Sequence, residues 1–276
     1  MLARFCKTTR IRLIKEIIVT KLLKVERQDH TALITIANPP ANTWTAESLA
    51  GLRDLIKELN ADKEIYALVI TGEGDKFFSA GADLNLFAAG DKGVASDMSR
   101  IFGEAFETLA NFRGVSIAAI NGYAMGGGLE VALACDIRIA EQQAQMALPE
   151  ASVGLLPCAG GTQNLSLLVG EGWAKRLILC GERITAEKAE KIGLVEEVVE
   201  QGQALEAALA LAAKVARQSP SSVAACKSLI QMSRDGSINS ALPLEREKFV
   251  ALFDTQDQKE GVTAFLEKRK PTWVNG

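Results

Sequence analysis

An α/β fold with a helical C-terminal region is predicted by three observations. Apolar strands alternate with amphipathic helical segments from Leu23 to Gly160. Beyond Gly160 the periodic segments have helical spacing almost throughout. No fixed-period repeat divides the 276 residues, a length that buries one good-sized core with room for an appended helical region.

The elements can be justified in order. Ala32 to Ala37 is apolar and β-branched and stops at Asn38-Pro39-Pro40, which predicts a strand. Thr45 can cap a helix whose apolar face is Leu49, Leu52, Leu55, Ile56 and Leu59. Tyr66 to Thr71 predicts a buried strand ended by Gly72-Glu73-Gly74, with a glycine-containing loop over Phe78 to Asp83. Residues 97–112 predict an amphipathic helix on Met98, Ile101, Phe102, Phe106 and Leu109. Val115 to Ile120 reads as a strand running into Asn121-Gly122 and a glycine run. A helix follows over Leu129 to Cys135, then short strands at Ile137 to Ala140 and Gln145 to Leu148. Helices are then predicted over 171–180, 185–191, 203–218, 220–233, 241–255 and 257–268.

Composition excludes several classes of function. Hydrophobic residues make up 48% and charged residues 24%, ordinary for a globular enzyme, and no stretch approaches the roughly 20 apolar residues of a membrane span. Five scattered cysteines without CxxC spacing predict a reducing compartment and neither a disulfide framework nor a zinc site. The single histidine, His30, is expected in a surface turn and cannot build a His-rich metal site. Residues 1–24 hold seven basic side chains and one acid, which leaves 24 basic and 33 acidic in residues 25–276, a net −9. An acidic body argues against nucleic-acid binding. Residues 1–22 are set apart as a basic extension with three arginines and no serine, read as a peripheral arm or an over-long start to the reading frame in preference to a faint match to a mitochondrial transit peptide. The expected location is cytoplasmic, or the mitochondrial matrix if residues 1–22 are such a peptide.

Three segments carry the chemistry. Ser79-Ala80-Gly81-Ala82-Asp83 puts small residues directly after a strand, where backbone amides stay open to a ligand. In Asn121 to Glu130 a strand runs into Gly126-Gly127-Gly128 at a helix start, whose amides suit a developing negative charge. Glu130 lies among Leu129, Val131, Ala132 and Leu133; a carboxylate buried there needs a partner or a task, or else serves the helix N-terminus electrostatically. Glu150, after Leu148-Pro149, is a second acid in apolar surroundings. Two carboxyls in a dry site have their proton affinities pushed upward and apart, which suits an acid/base pair, although spacing alone does not bring Glu130 and Glu150 together. The glycine run lacks GxGxxG spacing, which disfavours a nucleotide-dependent oxidoreductase.

In this order, SAGAD (79–83), NGYAMGGGLEVALACD (121–136), LPEASVGLLPCAGGTQ (148–163) and AFLEKRKP (264–271) resemble the crotonase, or enoyl-CoA hydratase/isomerase, superfamily from about Leu23 to Pro271. The resemblance implies a spiral of ββα units, with a core over 23–220 and a helical oligomerisation region over 221–276 that builds a homotrimer or homohexamer. It implies hydration of a trans-2-enoyl-CoA, with no metal or redox cofactor beyond the coenzyme A of the substrate. By the same resemblance, the backbone N–H groups of Ala82 and Gly127 form an oxyanion hole and Glu130 and Glu150 hold the water. Ala80, Asp83, Leu84, Gly126, Phe265 and Lys268 then fall among the substrate and coenzyme A contacts. Both acids are present, which among family branches points to a hydratase over an isomerase or a thioester hydrolase. A non-catalytic or RNA-binding relative is the rival of another class, disfavoured by the acidic body and the intact acid pair.

Three departures stand out. Asn85 replaces a phosphate-binding lysine, Cys158 a glycine beside the second acid, and Ser116 a proline expected to be exchanged without effect. A nucleophilic role for Cys158 is disfavoured, because no histidine is available to activate it.

Overall fold

The computed structural model describes residues 17–234 and 236–276. Among them, seven strands form one sheet and four form a second. The large sheet comprises β1 (Ile17–Thr20), β2 (Leu23–Gln28), β3 (Thr31–Ile36), β4 (Ala67–Gly72), β6 (Val115–Ile120), β8 (Ile137–Glu141) and β11 (Glu197–Val199). Pairing is antiparallel through β1, β2 and β3 and parallel from β3 to β11. β1 places Ile17–Thr20, the end of the basic stretch, on the sheet edge; residues 1–16 lie outside the described residues.

A parallel strand is buried on both faces, and β4 shows how its residues divide. Leu68 and Ile70 join the core beneath α1 (Ala46–Ala61), α2 (Lys92–Ala110) and α3 (Gly127–Ala134). Ala67 and Val69 face the other way, against Ala204, Ala208 and Ala212 of α6 (Ala204–Val215). Small alanines let that helix lie close on the sheet. Thr45 caps α1 through a reciprocal capping box with Ser48, and the predicted face of Leu49, Leu52, Leu55, Ile56 and Leu59 is buried.

The second sheet positions the chemistry. β4 leads to β5 (Phe77–Ser79), β6 to β7 (Tyr123–Met125) and β8 to β9 (Gln145–Ala147), so each ββα unit gives a long strand to one sheet and a three-residue strand to the other. β5, β7 and β9 are parallel neighbours, so their C-terminal ends open at one place. The chain then runs through α4 (Gly161–Leu179), β10 (Ile184–Thr185), α5 (Ala186–Lys191), β11 and α6 to α7 (Pro220–Met232), α8 (Ile238–Ala251) and α9 (Gln256–Leu266).

The main differences from expectation are these. α2 starts at Lys92, five residues before 97, because the Asp91 side chain accepts from the Gly93 and Val94 amides and caps a polar first turn. α4 starts at Gly161, because Gly170 at φ 78°, ψ 160° breaks the helical path and conceals the polar first half from a periodicity argument. β11 is a half-exposed three-residue strand inside a region read as helical.

Candidate active site

All three chemical segments emerge from the C-terminal ends of β5, β7 and β9. After β5, four consecutive amides have different fates. Ala80 N–H donates to Ala41 O at 2.9 Å, Gly81 N–H to Ser79 Oγ at 3.2 Å and Asp83 N–H to Trp44 O at 3.3 Å. Trp44 N–H in turn donates to Gly81 O at 2.8 Å. This one-residue parallel bridge uses the groups flanking Ala82 and leaves the Ala82 N–H without an acceptor among the described residues. Gly81, at φ 89°, lies so close to the next segment that a Cβ there would sit 2.7 Å from Met125 O and 3.0 Å from Gly127 N. Only glycine meets both requirements.

After β7, Gly126 turns the chain at φ 53°, ψ −128° and the helix begins at Gly127. The first amides of a helix have no partner one turn back, and Gly127 N–H has none among the described residues. The free amides of Ala82 and Gly127 thus belong to two touching segments. α3 then carries Glu130 into the interior, 2% exposed. Its Oε1 accepts from Ala159 N–H at 2.8 Å and Gly161 N–H at 2.9 Å. Burial raises the Glu130 pKa, and these amides together with that of Cys158 pull it back toward the charged form.

After β9, Glu150 opens a 3-10 turn, Glu150–Val153. A Cβ on Gly126 would lie 3.1 Å from Glu150 Oε1, and Glu130 N–H donates to Gly126 O at 3.0 Å, so Gly126 stands between the two acids. Glu150 Oε2 is buried without a hydrogen-bond partner in the described structure. Desolvation, with the Glu130 charge adding to it, pushes the Glu150 carboxyl up to about 7. The two acids therefore differ in their surroundings: Glu130 is clasped by the amides of other segments, whereas Glu150 has only its own backbone amide to favour the anion, against burial and the Glu130 charge. The Cys158 thiol, held up at about 11 by desolvation and then by Glu130 and Glu150, remains protonated even though the residue keeps exposed surface. A thiol held this way also disfavours a thiolate nucleophile.

Ala80 and Asp83 line the half-buried loop beyond β5, and Leu84 is exposed. Asp83 Oδ1 accepts from Asn85 N–H at 3.0 Å and Asn85 Nδ2 at 2.9 Å, so the amide that replaces a lysine closes the loop on itself. Phe265, at the end of α9, is 83% exposed, and Lys268 follows at φ 56°. No hydrogen bond, ion pair or ring contact among the described residues joins either to the Ala80–Leu84 loop. His30 sits in a turn, half-buried, stacked on Tyr66 with its Nδ1 2.9 Å from Glu64 O. Surface cavities of about 340 and 640 Å³, lined by Arg53 and Glu104 and by His30 and Arg217 respectively, contain none of the site residues.

Sequence reasoning missed Asn42 and Trp44. Asn42, 2% exposed at φ 53°, donates from Nδ2 to Glu73 O at 3.0 Å and Phe77 O at 2.8 Å, binding the approach to the first segment. Trp44 supplies the bridge to Ala82, and its fully buried indole meets Phe106 edge-on with ring centroids 5.7 Å apart. The prolines ahead of them marked only a turn.

Residues 26–276 match the model of the family described as enoyl-CoA hydratase/isomerase. The 2,3-dehydroadipyl-CoA hydratase of Escherichia coli is 41% identical over 252 residues, which cover 90% of this chain and 97% of that one. The structure of DspI from Pseudomonas aeruginosa superimposes with a TM-score of 0.91 at 67% identity, covering 97% of this chain and 100% of that one. Enoyl-CoA hydratase from Bacillus anthracis does so with a TM-score of 0.89 at 34% identity, covering 92% and 100%. With its ββα spiral, its two neighbouring acids and these likenesses, the chain belongs to the enoyl-CoA hydratase/isomerase family.

Proposed function

We propose that the protein is an enoyl-CoA hydratase, a hydro-lyase that adds water reversibly and syn across trans-2-enoyl-CoA to give 3-hydroxyacyl-CoA in fatty-acid or related acyl-CoA degradation. The observation that carries this reading is the pairing of Glu130, clasped by two amides, with Glu150, whose Oε2 has no partner and whose pKa is raised to about 7. An acid whose anion is held by amide donors, beside one whose carboxyl is raised to about 7, is what a reaction needing both a base and an acid requires.

In this mechanism the thioester carbonyl oxygen accepts from the Ala82 and Gly127 N–H groups, which stabilise the charge that develops on it. A water held between the carboxyls loses a proton to Glu130 as its oxygen bonds to the β-carbon. Glu150 delivers its proton to the α-carbon, and proton exchange between the acids restores the starting state. Ala80, Asp83, Leu84 and Gly126 contact the substrate, and Phe265 and Lys268 the adenine and phosphates of coenzyme A. The reaction requires no metal or redox cofactor. The active form is a homotrimer or homohexamer located in the cytoplasm, or in the mitochondrial matrix if residues 1–22 direct it there.

The test is hydration of crotonyl-CoA, followed as loss of the enoyl-thioester absorbance. Glu130→Gln and Glu150→Gln should each lower kcat by about 10²–10⁴-fold while coenzyme A binding persists. Near-normal turnover in either variant contradicts the mechanism. Isomerised or hydrolysed product in place of 3-hydroxybutyryl-CoA would reassign the chain within its family.

A further inference from the structure

We propose that Ser79 is a positioning residue for the oxyanion hole: by occupying the Gly81 amide from within the loop, its hydroxyl leaves Ala82 N–H as the amide presented to the thioester oxygen. The proposal rests on the hydratase reading for its kinetic consequence but not for its geometry.

Ser79 is fully buried. Its Oγ donates its one proton to Asn42 O at 2.7 Å, which turns the oxygen's lone pairs toward Gly81 N–H at 3.2 Å. Asn42 is itself fixed by its two bonds to Glu73 O and Phe77 O. The neighbouring amides, those of Ala80 and Asp83, are held by Ala41 O and Trp44 O. Of the four amides from Ala80 to Asp83, the Gly81 amide alone is secured by a side chain. That makes the Ser79 hydroxyl the removable constraint on this peptide.

Two further contacts tie this constraint to the second donor. A Cβ on Gly81 would lie 3.0 Å from Gly127 N, so a rotation of the Gly81 peptide moves the loop against the very amide that must converge with Ala82 N–H. A Cβ on Gly128 would lie 2.1 Å from Ser79 O, so the first turn of α3 rests directly on Ser79. Ser79 thus touches both halves of the hole without facing substrate. Without its hydroxyl, Gly81 N–H is a buried donor with no acceptor and competes with Ala82 N–H for the nearest oxygen. Displacements of about 1 Å at such a site are costly in rate, because the donors are aimed at the transition-state oxygen.

The experiment compares wild type, Ser79→Ala and Ser79→Cys, the last keeping an unbranched side chain with a weaker donor and acceptor. Two quantities are read: steady-state hydration of crotonyl-CoA, and the infrared carbonyl stretch of bound butyryl-CoA, a saturated thioester that cannot be hydrated. Ser79→Ala should lower kcat on the order of ten- to a hundredfold with KM little changed. It should also lose much of the downward shift of the bound carbonyl stretch, with Ser79→Cys intermediate in both. The pH dependence should keep its wild-type shape, because the acids are untouched. A role confined to stability would lower the melting temperature but leave the carbonyl shift and the kcat per folded molecule unchanged, and that result overturns the proposal. If Ser79→Ala does not fold, Ser79→Cys decides: wild-type kcat and carbonyl shift in that variant overturn it, and a partial loss of both supports it. A wild-type protein that binds butyryl-CoA with a shifted carbonyl but hydrates nothing would sink the hydratase reading, while the shift would still decide the role of Ser79.

Discussion

Burial of the Glu150 carboxyl, with Oε2 unpartnered, brings its pKa to about 7, so both charge states are populated near neutrality. Hydration and dehydration both use the pair holding one proton, and the reaction itself takes up none, so kcat/KM in the two directions should decline together as pH rises through about 7 and that proton is lost. Glu130 is close enough to act on Glu150, so the apparent values belong to the pair. Measuring kcat/KM against pH in both directions checks this, and a hydration profile flat across that range removes Glu150 from the role of acid. The same shift bears on stability. A raised folded-state pKa means that the folded protein binds this proton more tightly than the unfolded chain. The contribution is fully present below the ordinary glutamate value and is lost as pH rises through about 7. Glu150→Gln cannot ionise, so its melting temperature relative to wild type should climb across that window. After discounting for solvent screening, the gain should be roughly 2–4 °C, or about 1 kcal/mol. Thermal unfolding of both proteins as a function of pH measures the difference.

Among the elements, β6 and α7 are joined through a residue expected to be neutral. Ser116, fully buried, donates to Asp136 Oδ2 from its amide at 2.8 Å and from its hydroxyl at 3.0 Å. Asp136 Oδ2 also takes Lys227 Nζ of α7 at 2.7 Å, and that ammonium reaches Phe112 O and Gly114 O as well. A proline at 116 has neither donor, so Ser116→Pro should cost about 1–3 kcal/mol of stability and Ser116→Ala, which keeps the amide, less. Denaturant unfolding distinguishes the two, and equal stability of Ser116→Pro and wild type refutes the clasp. Sequence alone had little access to this network, because its partners are 20 and 111 positions away from Ser116 in the chain. What could be read were elements with a period and a cap, such as α1 behind Thr45 and the strand Val115–Ile120. Of the three-residue strands, β9 was legible as the short strand from Gln145, whereas β5 and β7 have no period to read, yet the parallel stacking of all three is what brings Glu130 and Glu150 together. That convergence was legible only through the family resemblance; spacing left it open.

At the scale of the whole molecule, the large sheet packs a core on each face, and the large apolar side chains left exposed lie partly around Leu84, Leu155 and Leu156 and partly in the C-terminal helices. Ile230 of α7 is 70% exposed, Ile238 and Val250 of α8 are 74% and 66%, and Phe265 and Leu266 of α9 are 83% and 73%. Phe249 and Phe253, in edge contact with each other at 5.5 Å between ring centroids, remain 62% and 52% exposed. Exposed aromatic and branched side chains of this kind are what the proposed assembly would cover, and the acidic body argues against a nucleic acid or an anionic membrane as the partner. The expected partner is further copies of the chain, so sedimentation equilibrium should give a trimer or a multiple of it. Phe249→Glu combined with Val250→Glu should shift the mass toward the monomer, since each partner surface would then have to desolvate charge. These positions lie outside the segments that carry Glu130, Glu150, Ala82 and Gly127, so a loss of hydration that tracks the loss of mass would mean that assembly completes the coenzyme A site. A wild-type monomer at micromolar concentration with full activity would refute the assembly and require another role for this surface.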